Sequence, residues 1–273
     1  MGDKKAVIIG IDGMDRRLVE EFKNDLPTIS KLKEISPIKY SESVFPPDSE
    51  TAWATIYTGL NPAKHGIVLF LDPLEKSIEH QTKDPDNTLI RGKTFWDIAG
   101  KHGKKVCILL PHIGYPVWEV SGIMVGRSSV IDDVQTYPKD MGANFDFSRL
   151  NTVKGFPGKR GLSHEEFVKR HEELLEATRE FSKKLFEKEE WDIFFVYTSI
   201  LDVVPHFFWK YHDKDDPAYP GENNPYKDVI RKFYKMHDEF ISEFYKKIDD
   251  DIVFIVLSDH GHGRRPVENV NMN

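Results

Sequence analysis

In 251-DIVFIVLSDHGHGRR-265 the chain passes within two residues from an unbroken apolar run to a carboxylate beside an imidazole. An apolar run without alternation reads as a strand covered on both faces of a sheet. Three other stretches repeat it: AVIIGI (6–11), VCILL (106–110) and DIFFVYTSI (192–200). Between them lie amphipathic helices. One opens at Ser163 with Glu166 in capping-box spacing and places Phe167, Leu174, Thr178, Phe181 and Leu185 on one stripe. Another spans about 226–248, with Val229, Phe233, Met236, Phe240, Phe244 and Ile248 on one face. Strands alternating with helices predict an α/β fold, a layered α/β/α arrangement around a largely parallel sheet.

The 273 residues suffice for one large α/β domain with a sizeable core. Residues 111–162, rich in Gly, Pro, Ser and Asp, read as a loop-rich insertion over one sheet edge; 77–92 and 212–226 read as polar connectors. Cys107 is the single cysteine and lies in an apolar run, so a disulfide framework and a cysteine-based metal site are excluded. The net charge of −7 argues against a phosphate-tracking nucleic-acid surface. With no apolar stretch near a membrane span of roughly 20 residues and no signal-peptide pattern, a cytoplasmic location is expected.

In open α/β sheets ligand sites gather beyond the carboxyl ends of the strands. Three strands here end in acids: Asp12 after the first, Asp202 after the third, and Asp259 with His260 after the last. An acid after a strand is ordinarily a turn former or a cap, but three together are harder to dismiss. His206 follows Asp202 by four residues, so on a helical turn the two share a face. Three carboxylates and two imidazoles are ligands that Zn²⁺ or Mn²⁺ accepts, and a two-metal site is the economical reading.

The segment FPPDSETAWATIYTGLNPAKHGI (45–67) supplies a nucleophile. Pro46 and Pro47 hold the chain extended, a helical pattern runs to Gly59, and Ser49 stands where an N-cap belongs. Capping alone accounts for such a serine, yet a helix entrance is also where phosphates dock. There is no Gly-x-Ser-x-Gly elbow, dinucleotide fingerprint or Walker loop.

Taken together, Asp12 after the first strand, PPDSETAWATIYTGLNPAKHGI, DVVPH and SDHGHG resemble the alkaline phosphatase superfamily, in particular its type I phosphodiesterase and nucleotide pyrophosphatase branch. The likeness runs from about residue 5 to the end, and TFWDIAGKHGKKV and GYPVWEVSGIMVGR add to it. It implies a metal-dependent hydrolase of phosphoric esters, acting on a small phosphate-ester or nucleotide substrate through a covalent phosphoserine that water then cleaves. It further implies two divalent ions, Zn²⁺ first and Mn²⁺ second. Asp12, Asp259, His260 and the Ser49 oxygen would hold one ion, and Asp202 with His206 the other.

Two departures bear on activity. The family's second metal takes a further His from a strand well downstream, which this chain lacks; His262 is the nearest substitute, but on a tight Gly-flanked turn it is expected to point elsewhere. The phosphate-binding Asn often found shortly after the nucleophile is replaced by Glu50, Thr51 and Ala52, with Thr51 the reserve nucleophile. The resemblance also implies that the chain is the amino-terminal part of a longer protein. The alternative is therefore an inactive fragment that binds one ion or a phosphate without turnover. Of the remaining residues, His65 is expected to fix a turn and Trp53 and Trp96 to anchor the core. His112 and Tyr115 open the insertion, and Lys64, Arg127, Arg264 and Arg265 are scattered cations available to a phosphate.

Overall fold

The computed structural model describes residues 4–36, 39, 41–45, 47–68, 83–139, 141, 146–158 and 161–264. Pro46, Arg265 and residues 77–82 of the first connector lie outside that set. The strands are β1 (Lys5–Ile11), β2 (Val106–Leu109), β3 (Gly122–Arg127), β4 (Val134–Tyr137), β5 (Ile193–Thr198) and β6 (Ile252–Leu257). They form one sheet in the order β4-β3-β2-β5-β1-β6, parallel except for β4. The helices are α1 (Arg16–Glu21), α2 (Pro27–Ile35), α3 (Ser49–Thr58), α4 (Pro62–His65), α5 (Phe95–Lys101), α6 (His164–Lys188), α7 (Ile200–His212) and α8 (Val229–Tyr245). None of the described helices is long and apolar enough to cross a membrane.

The strand period of two sorts the apolar runs onto two faces. Val7, Ile9 and Ile11 of β1, Cys107 and Leu109 of β2, and Phe194 and Val196 of β5 join α1, α2, α6, α7 and α8 in one core. Ile108, Phe195 and Tyr197 turn the other way, against Trp53, Tyr57 and Trp96 from α3 and α5. The layered α/β/α expectation therefore holds, and its physical reason is visible in the burial: central strands have no polar face to spare.

Two readings need correction. The segment 111–162 was expected to lie over a sheet edge as loops, but β3 and β4 extend that edge by two strands. Its Gly and Pro content hid short runs, GIMVGR and VQTY, in turns. The last strand was read as covered on both faces, yet β6 pairs with β1 alone among the described residues, and Val253 and Ile255 are exposed at 43% and 37%. Ile252, Phe254 and Val256 face the core, so an unbroken apolar run here covers a strand with one buried face.

Candidate functional site

Adjacent strands β5, β1 and β6 run parallel, so their carboxyl ends open on one edge of the sheet. Asp12 follows β1 directly, Asp202 lies in the first turn of α7 just after β5, and Asp259 and His260 follow β6. Gly13 brings the first two loops into contact. Its φ is +68°, and a Cβ there would stand 2.7 Å from the Asp202 Cα, so only glycine allows this approach.

Asp12, Asp259 and His260 form a first trio whose ligand atoms lie within 4.8 Å of one another. Asp12 Oδ2 accepts hydrogen bonds from the Tyr197 hydroxyl (2.6 Å) and Trp53 Nε1 (3.1 Å). Its Oδ1 faces His260 Nε2 at 3.4 Å. Asp259 Oδ1 accepts from Gly13 N at 3.2 Å. Asp259 Oδ2 is buried with no hydrogen-bond partner among the described residues, and His260 Nε2 stands 3.3 Å from it. His260 Nδ1 lies 2.8 Å from the Gly261 carbonyl, an acceptor that only a protonated Nδ1 can engage, so Nε2 is the atom turned towards both acids.

The electrostatics follow from crowding two acids in a dry place. Burial, then the charge of Asp202, raises the pKa of Asp12. Burial, then the charge of Asp12, pushes Asp259 up to about 8. For His260 burial opposes the charged form, but Asp259 and Asp12 outweigh it and raise its pKa. An orphaned carboxylate oxygen, two acids held above their ordinary range and an imidazole aimed at them make a donor set that suits a divalent cation.

The second trio is Asp202, His206 and His262. As expected from their spacing, Asp202 and His206 share one face of α7, with His206 Nε2 3.2 Å from Asp202 Oδ1. The expectation for His262 is overturned: its Nδ1 lies 3.7 Å from the same oxygen, and its ring stands 4.6 Å from that of His206. The cause is Asp15. As the N-cap of α1 it also accepts from His262 N at 3.1 Å, and Gly261 passes so close that a Cβ would stand 2.4 Å from Asp15 Oδ2. Arg17 bonds both Asp15 and the His262 carbonyl, so the turn is pinned from three sides. Burial works against ionisation of Asp202, but hydrogen bonds from His206 and His262 prevail and hold its carboxyl well below the usual carboxylate range.

Ser49 is the first residue of α3 and faces the first trio. It was expected to cap that helix, but Asp48 does so, accepting from Thr51 N (3.0 Å) and Thr51 Oγ1 (2.7 Å). Asp and Ser cap about equally well, so the choice of Asp48 leaves the Ser49 hydroxyl available. Its Oγ lies 3.1 Å from His260 Nε2 and 3.3 Å from Asp12 Oδ1. Thr51, the reserve nucleophile, is buried and committed to Asp48.

Behind Ser49 runs a relay that sequence reasoning did not find. The Tyr197 hydroxyl that bonds Asp12 also meets His112 Nδ1 at 2.9 Å, and His112 Nε2 stands 3.3 Å from Glu50 Oε1. Burial opposes protonation of His112, yet Glu50 outweighs it and pushes the pKa up to about 9. Tyr197 lay hidden in an apolar strand, and Trp53, expected as a core anchor, is both that and a donor to Asp12. Leu110, just before Pro111 and His112, has φ +55°, a conformation costly for a bulky side chain, and it is buried in the lining of the cleft that also holds Ser49.

That cleft has a volume of about 990 Å³ and is lined by Asp12, Ser49, Asp202, His206, His260 and His262, together with Arg127 and Lys154. Arg264 also lines the cleft, where it pairs with Asp213. Other predicted residues fall elsewhere: His65 fixes its turn, accepting from Ile67 N and meeting Thr55 Oγ1; Trp96 is buried; Tyr115 bonds Asp133; Lys64 is exposed.

Comparison with known proteins bears on the family and the fold. The sequence profile of the type I phosphodiesterase / nucleotide pyrophosphatase family matches residues 6–273. No curated protein matches the chain significantly. Among solved structures, an inactive variant of murine ectonucleotide pyrophosphatase / phosphodiesterase 5 in complex with AMP shares 17% identity and a TM-score of 0.52, over 94% of this chain and 57% of that one. Phosphonoacetate hydrolase from Sinorhizobium meliloti 1021, in complex with phosphonoacetate, shares 19% identity and a TM-score of 0.55, over 95% and 56%. A sulfatase-like structure from Bacteroides thetaiotaomicron VPI-5482 shares 12% identity and a TM-score of 0.57, over 98% and 61%. At these identities the likeness is one of fold, and the chain spans a little over half the length of the structures it matches.

Proposed function

The chain belongs to the type I phosphodiesterase / nucleotide pyrophosphatase family, and from that premise we propose that it hydrolyses small phosphoric esters or nucleotides, with Ser49 as nucleophile. One observation carries the reading: an uncapped serine hydroxyl at a helix entrance, within 3.3 Å of Asp12 and His260, faces two three-ligand clusters along one cleft. Asp12, Asp259 and His260 would hold one divalent ion and Asp202, His206 and His262 the second, Zn²⁺ or Mn²⁺ by ligand type. Bound there, such ions supply the positive charge that lowers a hydroxyl's pKa and offsets phosphate oxygens.

The chain's own groups do the rest. The entrance of α3 presents backbone N–H groups and the positive end of its dipole to a phosphate. Tyr197 and Trp53 hold Asp12 in one orientation, which leaves its Oδ1 towards Ser49. Ser49 Oγ would bond to phosphorus as the bond to the leaving oxygen breaks, and water would then cleave the serine ester. The alternative of an inactive fragment rested on an absent third ligand for the second ion and on an absent final strand or two. His262, 3.7 Å from Asp202 Oδ1, answers the first of these grounds and supports the enzyme reading.

The test is hydrolysis of bis(4-nitrophenyl) phosphate and 4-nitrophenyl phosphate with added Zn²⁺ or Mn²⁺, together with a count of bound ions. Two ions and turnover, lost in Ser49→Ala and Asp259→Ala, are expected. Full activity in Ser49→Ala would remove the covalent step, and one ion without turnover would favour the inactive fragment.

A further inference from the structure

Arg127 ends β3, so the parallel sheet delivers it to the same edge as Asp12 and Asp202. It is half-buried in the wall of the cleft that Ser49 opens into. Its guanidinium reaches two neutral acceptors, the Leu150 carbonyl (Nη1, 3.1 Å) and Ser199 Oγ (Nη2, 3.4 Å). No carboxylate among the described residues lies within ion-pair distance of it. Several other arginines find acids: Arg149 pairs with Glu180, Arg170 with Glu166, Arg179 with Glu176 and Arg264 with Asp213. Arg91 is held by neutral acceptors, as Arg127 is, but it lies outside the cleft. Burial pulls the Arg127 pKa down, and only Tyr197 works the other way. A guanidinium cannot shed its proton, and it is costly to withdraw from water without a counter-charge.

The wall around it is preformed. Asp84 bonds Ser128 Oγ (2.6 Å), Ser129 N (2.6 Å) and Ser129 Oγ (2.8 Å), fixing the turn that follows β3. Thr152 Oγ1 bonds the Ser128 carbonyl, and Lys154, 3.9 Å from Asp132, adds a second cation to the same wall. Arg127 thus offers unused N–H donors to a cleft that Asp12 and Asp202 also line.

We propose that Arg127 is an anion subsite, distinct from both trios, that receives a second negatively charged group on the substrate's leaving side. The subsite rests on the phosphoric-ester reading above and narrows it: the favoured substrates carry a phosphate or a carboxylate on the leaving group, the forked geometry of arginine suiting either. Simple alkyl or aryl esters leave the guanidinium uncompensated.

Binding separates this proposal from turnover. On the full chain at fixed free Zn²⁺, titration calorimetry would compare methylphosphonate, which has one anionic group, with methylenediphosphonate and phosphonoacetate, which have two. The expected result is at least tenfold tighter binding of one or both bis-anions, with that advantage lost in Arg127→Gln and partly kept in Arg127→Lys. Whichever bis-anion shows the larger advantage identifies the second group as phosphate or carboxylate. Equal affinity for all three, or an advantage unchanged in Arg127→Gln, would overturn the subsite. If Arg127→Gln melts before it can be titrated, Arg127→Lys decides: an undiminished advantage there overturns the forked contact. Arg127-dependent binding without ester hydrolysis would sink the hydrolase reading and leave the subsite standing, and hydrolysis without Arg127 dependence would do the reverse.

Discussion

The two trios use the same ligand types and number, yet their electrostatics are opposite. Asp12, Asp259 and His260 stand on strand ends, buried, with two acids for one imidazole, and the acids are driven upward in pKa. Asp202, His206 and His262 stand on a helix and a pinned turn, nearer solvent, with two imidazoles for one acid, and the acid is held low. The first cluster leaves two crowded acids short of positive charge; the second satisfies itself. Contact between them through Gly13 and Asp202 places a self-supporting cluster against one that needs external charge.

The hardest blow to this picture would come from Ser49→Ala, which removes the hydroxyl that Asp12 and His260 face and that lines the same cleft as the second trio. Its kcat on bis(4-nitrophenyl) phosphate is expected to fall by at least about 10³-fold, and a near-normal rate would detach the chemistry from either trio. Next in size is Tyr197→Phe, which keeps the ring and deletes the donor to Asp12. Loss of such an outer contact should cost about 10–100-fold in metal affinity or activity, read by competition with a chelator, and an effect on the second ion equal to that on the first would contradict the assignment of Tyr197 to one cluster.

Stability contrasts the two clusters more directly. In metal-free protein near neutral pH, Asp259→Asn removes a buried acid that resists ionising and should raise the melting temperature by about 2–4 °C, the shift expected for roughly 1 kcal/mol in a domain of this size. Asp202→Asn deprives two imidazoles of their partner and should lower it by a similar amount. Shifts of the same sign by differential scanning calorimetry would erase the contrast.

A further contrast lies in the pH profile of the metal-free protein. Asp259 titrates at about 8 when folded, against 3.8 as its ordinary value. Below the lower value it is protonated in both states and contributes nothing. Between the two the unfolded chain ionises and the folded one does not, so stability falls as pH rises, then levels above the folded value. Asp202 is shifted the other way, so its stabilisation is already complete above 3.8 and is lost only on acidification. Added Zn²⁺ should displace the Asp259 proton, so the stabilisation it confers should grow across the same window. A metal-free melting temperature that climbs from pH 5 to 8 would show that Asp259 is not the group in control.

How much of this was legible beforehand varies with the kind of interaction. The acids Asp12, Asp202 and Asp259 were readable because each follows an apolar run, and a parallel sheet gathers such ends at one edge whatever the details of packing. His206 was readable because four residues are one helical turn. The run 252–257 misled about its outer face because apolar composition reports which side chains tolerate burial, while coverage depends on what packs above them. Ser49 was misread as a cap because adjacent Asp and Ser compete for that place on nearly equal terms.

Local periodicity therefore determined the layered fold, the strand ends that hold carboxylates and the helix that carries the serine, since each depends on neighbours within a turn or a pleat. Tertiary structure decided which groups complete the clusters. His262 is turned onto Asp202 by Asp15, 247 residues earlier in the chain, His112 reaches Asp12 only through Tyr197, and Arg127 is brought to the cleft without an acid. Directional bonds between distant segments leave no period in a sequence, because they are set by how the segments pack and not by their spacing along the chain.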